Sequence, residues 1–120
     1  MALDRFVYWG KKKPSAKELR GVLEDYLGGV GKIEDLRAKK GRLTWWTVTL
    51  PGRPTVPFQR VKGFEKYGAV MKDLKERWFE VCLDEKYVDV ITRHGDEFTG
   101  VVAQGFADLL VRFYEARLEK

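Results

Sequence analysis

The residues Phe98, Val101, Val102, Gly105, Phe106, Leu109, Leu110, Phe113 and Leu118 fall on one side of a helical wheel, with Gln104, Asp108, Arg112 and Glu115 on the other. This spacing predicts one long helix, opened by Asp96 as N-cap after Gly95. A stripe of that length has to be covered, because each Å² of apolar surface kept from water is worth about 25 cal/mol. The chain must therefore supply a second layer for the helix to lie on. Gly105, midway along the stripe, would let the helix approach that layer closely.

The other layer is legible upstream. Trp78 to Leu83 and Tyr87 to Thr92 alternate around Asp84-Glu85-Lys86, with Phe79, Val81 and Leu83 on one face and Val88 and Val90 placed to pair beside them. This predicts a β-hairpin. A second hairpin is expected from Ile33 to Leu50, turning at Lys39-Lys40-Gly41. Its second arm sets Thr44, Trp46, Val48 and Leu50 against Leu43, Trp45, Thr47 and Thr49. Its first arm is interrupted by Glu34-Asp35. Arg5 to Trp9 reads as a further strand, stopped by Gly10, three lysines and Pro14.

Ser15-Ala16-Lys17-Glu18 is a capping box, and Leu19, Val22, Leu23, Tyr26 and Leu27 follow at helical spacing up to Gly28-Gly29. Gly21 inside this helix costs about 1 kcal/mol relative to alanine. Pro51, Pro54 and Pro57 mark an irregular connection, and Phe64, Tyr67, Met71 and Leu74 suggest a short helix after it. The predicted order is β-α-β-β-(α)-β-β-α. That order implies an α+β two-layer sandwich: a mainly antiparallel sheet of about five strands packed by two helices. A ferredoxin-like arrangement is one way to complete it. With 120 residues there is room for one core, so residues 1–120 are expected to form a single domain.

The composition, 44% hydrophobic and 34% charged, is that of a folded domain rather than a disordered one. One cysteine, Cys82, permits no internal disulfide, and with one histidine, His94, it makes no zinc site. No secretory leader is read in the opening residues, where Asp4 and Arg5 interrupt the apolar run, and no stretch is long enough for a membrane span. A cytoplasmic location is expected, with no cofactor. The net charge of +5 is uneven. Residues 1–63 hold 14 Lys/Arg against 6 Asp/Glu, and residues 64–120 hold 9 against 12, or +8 and −3. A polyanionic partner would meet the N-terminal half, although +5 also serves solubility alone.

No catalytic motif is present. His94 stands where a strand hands over to the long helix, but Asp96 and Glu97 beside it complement the helix dipole and repel anions. Cys82 is opposite in parity to the apolar face of its strand and would need His94 brought to it by the fold. The adjacent carboxylates Glu24-Asp25, Glu34-Asp35, Asp84-Glu85 and Asp96-Glu97 diverge by geometry, and Gly28-Gly29-Val30-Gly31 follows a helix where a dinucleotide loop would follow a strand. The most suggestive grouping is basic and aromatic: Lys11, Lys12, Lys13, Lys39, Lys40, Arg42 and Trp45. Trp45 and Trp46 must face opposite ways, so if Trp46 is core, Trp45 is outward or under a loop. These features define three expectations. The first is a non-catalytic protein-binding or adaptor domain acting through its sheet face or edge strands. The second is a nucleic-acid-binding module using the seven residues just named. The third is a small-molecule enzyme using His94.

Overall fold

On strand β1 (Leu3–Tyr8) the residues Arg5 and Val7 are buried on one side, while Asp4, Phe6 and Tyr8 stand half-buried on the other. The same alternation holds along β3, whereas β4 and β5 are buried on both faces, in the computed structural model, which describes residues 3–29, 31–36, 44–50, 77–93 and 97–119. After helix α1 (Ala16–Leu27) come β2 (Lys32–Leu36), β3 (Thr44–Leu50), β4 (Arg77–Leu83), β5 (Tyr87–Thr92), helix α2 (Glu97–Phe113) and β6 (Arg117–Glu119). They form one six-stranded sheet in the order β2-β3-β4-β5-β1-β6, with every neighbouring pair antiparallel. The α+β two-layer class is as expected.

The inner face is a continuous apolar layer of Val7, Trp46, Val48, Leu50, Phe79, Val81, Leu83, Val88 and Val90. Register explains it, since Trp46 lies opposite Val81, Val81 opposite Val90, and Val88 opposite Val7. Helix α2 covers β4, β5, β1 and β6 with Val102, Ala103, Phe106, Ala107 and Leu110, all without solvent exposure. Helix α1 buries Leu19, Leu23 and Leu27 beside it. The two helices join where the Tyr26 hydroxyl donates to the Val102 carbonyl at 2.8 Å and the Tyr26 and Phe106 rings approach to 5.6 Å. Arg20 ties α1 to β2 through Asp35 at 3.1 Å.

Both helices share one face for a topological reason. The β1-α1-β2 and β5-α2-β6 crossovers join parallel strands and run in opposite directions from strands of opposite sense. Right-handed connections then put both helices on the same side. Set aside β3 and β4, and the remaining order β2-β5-β1-β6 is the split-βαβ pattern of ferredoxin-like domains. Here two further strands lie between β2 and β5.

Local chemistry sets the boundaries. Ser15 Oγ accepts from the Glu18 amide at 3.1 Å, and Gly28, at φ 63°, closes α1 by donating to Glu24 and Asp25 carbonyls. Gly31 enters β2 at φ 86°, where a Cβ would stand 2.6 Å from the Thr49 carbonyl oxygen.

The sheet expected to hold about five strands has six. Two expectations are corrected. The long helix ends at Phe113 instead of continuing through Leu118. Glu115 adopts a left-handed conformation, φ 51°, and the Ala116 amide donates to the Val111 carbonyl, a Schellman closure that turns the chain into β6. Leu118 still packs against the core, but from a strand opposite Val7. Gly105 lies toward α1 rather than the sheet. It is Gly100 that passes the buried Arg5, 3.9 Å from a Cβ position to Arg5 Nη2. The short helix suggested around Phe64 to Leu74, and the turn at Lys39-Lys40-Gly41, lie outside the described residues.

Candidate functional site

Two surfaces carry chemistry. The first is the outer face of the sheet. Trp46 is core at 3% exposure, so Trp45 projects outward as parity requires, half-buried. It does not stand free: its indole Nε1 donates to Glu80 Oε1 at 3.1 Å, and Arg93 Nε donates to Glu80 Oε2. Glu80 is buried, and a buried carboxylate needs such partners to hold its charge. The bonded Glu80 in turn fixes the plane of the Trp45 ring.

Beside it, β4 and β5 place Cys82 opposite Asp89, both buried. Burial pushes the Cys82 thiol up to about 11, with Asp89, Asp84 and Glu80 adding to the effect. It is an unreactive thiol. Burial, together with a hydrogen bond to the Asp4 carboxyl and that group's charge, pushes Asp89 up to about 8, against the Arg5 amide that donates to its Oδ1 at 3.2 Å. Among the described residues no three His, Cys, Asp or Glu side chains converge to hold a metal ion.

Farther along the same face, Phe6 and Tyr8 of β1 meet Tyr87 of β5. The Phe6–Tyr87 and Tyr8–Tyr87 rings make edge-to-face contacts at 5.2 and 5.4 Å, and the Arg117 guanidinium lies 5.5 Å from the Tyr8 ring centre. The Trp9 amide donates to the Lys86 carbonyl at 3.0 Å, so the segment carrying Lys11, Lys12 and Lys13 leaves β1 beside the β4–β5 turn. All three lysines are exposed.

The second surface is a groove of about 840 Å³ between α1 and α2. It is lined by Val22, Tyr26, Leu109, Phe113 and Leu118, with Asp25, Asp108 and Arg112 among its polar groups. Phe113 is 59% exposed. Asp108 is held in place from below: Gln104 Nε2 donates to it at 3.0 Å, while Gln104 Oε1 accepts from Arg5 Nε at 2.9 Å. Arg5 itself is 4% exposed, and its Nη1 donates to Thr92 Oγ1. Burial lowers its pKa, and the charges of Asp89 and Asp108 counter this.

Of the residues singled out from sequence, the structure sets Lys11, Lys12 and Lys13 at one end of the sheet and Trp45 on its outer face. Lys39, Lys40, Arg42 and His94 lie outside the described residues. Missed in the sequence were the Phe6–Tyr8–Tyr87 group and the helix groove. Phe6 and Tyr8 did carry a signal, namely parity opposite to buried Val7. Comparison with protein-family models, with curated proteins and with solved structures finds no match to this chain.

Proposed function

We propose that this chain is a non-catalytic protein-binding domain that seats an apolar, basic segment of a partner in the groove between α1 and α2. The observation that carries the proposal is Phe113, an aromatic side chain left 59% exposed at the mouth of an apolar groove. Exposed apolar surface with a polar rim is characteristic of partner binding, and aromatic anchors dominate such interfaces. The rim favours a cation: Asp25 and Asp108 outnumber Arg112, and Gln104 presents Asp108 in a fixed orientation. An amphipathic helix with one Lys or Arg beside its apolar anchors fits this chemistry.

Strand addition, the other route expected from sequence, is less well supported. The edge strand β2 carries Lys32, Glu34 and Asp35, and the edge strand β6 has three residues, two of them charged. Short and charged edges oppose pairing with another chain.

The test is selection from a random peptide library displayed on phage. Bound peptides should show apolar residues at helical spacing with a nearby Lys or Arg, and Phe113→Ser and Asp108→Lys should each weaken them at least roughly tenfold. Peptides unaffected by both substitutions would refute the groove as the site. A stable dimer abolished by Phe113→Ser would assign the groove to a second copy of the chain and overturn the partner.

A further inference from the structure

The outer face supports a separate site. We propose that Phe6, Tyr8 and Tyr87 form a stacking platform for bases of a single-stranded nucleic acid, whose phosphates are met by Arg117, Lys86 and the Lys11–Lys13 segment. The three rings come from adjacent strands, β1 and β5, and lie half-buried on the face that carries no helix of the described residues. Packed edge to face, they hold one another in place while leaving ring surface to solvent. Every base has a π face, so such a platform takes bases without needing their sequence, provided they are unstacked from a duplex.

Charge decides between a nucleic acid and a protein. At this end of the sheet stand five cations, Lys11, Lys12, Lys13, Lys86 and Arg117, against the carboxylates Asp84, Glu85 and Glu119, with Asp4 and Asp89 farther along the same face. Asp84 is engaged by the Tyr87 hydroxyl and Glu119 by Arg117, at 3.2 Å. The carboxyl opposite Phe6, Asp89, is pushed up by burial and by the neighbouring Asp4, and so repels phosphate less than a free aspartate would. The lysines are exposed and, among the described residues, make no ion pair, so phosphates meet them unhindered.

The experiment is fluorescence anisotropy with fluorescein-labelled dT12, U12 and a 12-base-pair duplex. The single strands should bind more tightly than the duplex. Their affinity should fall roughly 20-fold between 50 and 200 mM salt for about three phosphate contacts. Tyr8→Leu should weaken binding roughly tenfold, since stacking is lost while the strand position stays apolar. The triple change Lys11→Glu, Lys12→Glu, Lys13→Glu should flatten the salt dependence, and because these side chains are exposed it leaves the thermal melt unchanged. Phe113→Ser, in the helix groove, should leave binding intact, which separates this site from the protein-binding groove. Absence of single-strand binding at 50 mM salt overturns the proposal. So does binding that depends on the lysines but is unmoved by Tyr8→Leu, because that is attraction to any polyanion.

Discussion

Arg5 on β1 and Gln104 on α2 are joined by a 2.9 Å hydrogen bond beneath the helix, ninety-nine positions apart in the chain. The guanidinium is buried, yet its hydrogen-bonding side-chain partners, Gln104 and Thr92, are neutral. A buried cation with no direct ion pair among the described residues, its opposing charges Asp89 and Asp108 acting only through space, is weakly compensated. Arg5→Met should therefore leave the denaturation midpoint unchanged or raise it. Gln104→Ala strands a buried donor and should cost about 1–3 kcal/mol in urea unfolding. A large loss in Arg5→Met would show that the cation contributes net stability.

Phe106 is fully buried between Tyr26 and the sheet. Phe106→Ala should cost about 3–5 kcal/mol, a large part of the roughly 5–15 kcal/mol typical of a domain. A loss under about 1 kcal/mol, measured by chemical denaturation, would be incompatible with α2 docked as described.

Two backbone substitutions should stabilise. A Cβ at Gly21 meets nothing within 4 Å, so Gly21→Ala relieves the helix penalty and should add about 1 kcal/mol. Glu115, at φ 51°, occupies the left-handed position that glycine prefers, so Glu115→Gly should add about 1 kcal/mol and Glu115→Ala should not. Each gain should appear as a rise of about 4 °C in Tm, and equal melts for the Gly and Ala variants at 115 would argue against the turn.

Asp89 makes stability fall with rising pH. The folded chain keeps this proton up to about pH 8, whereas the unfolded chain releases it near the ordinary 3.8. Its contribution is thus full below about pH 4, declines between pH 4 and 8, and is flat above. Thermal melts from pH 5 to pH 8 should show Asp89→Asn gaining on the parent chain as pH rises. Parallel curves would contradict the raised pKa of Asp89.

Much of the inner face was legible because alternation is a local property. Trp46, Val48, Phe79, Val81, Val88 and Val90 follow from period two in their own strands. The end of α2 was not, because Leu118 continues the apolar stripe and Glu115 is not a glycine, so the turn before β6 left no mark in composition. Strand order was illegible for a different reason, since β1 pairs with residues at least 79 positions away. The same distance hid the site. Phe6, Tyr8 and Tyr87 are conspicuous singly, but only the β1–β5 pairing makes them one surface, and only β4 beside β3 gives Trp45 its bond to Glu80.

The position of β1 between β5 and β6 has a consequence during synthesis. Leu3 emerges from the ribosome 89 residues before its partner Thr92, an interval of roughly 4–18 s at ordinary translation rates. During that interval the β2-β3 hairpin can assemble, and β4 can join it once Leu83 has emerged, nine residues before Thr92, while β1 waits without either neighbour. The strand that carries Arg5, Val7 and the Phe6–Tyr8 pair is thus both the seam that closes the sheet and the segment longest at risk of pairing with another nascent chain.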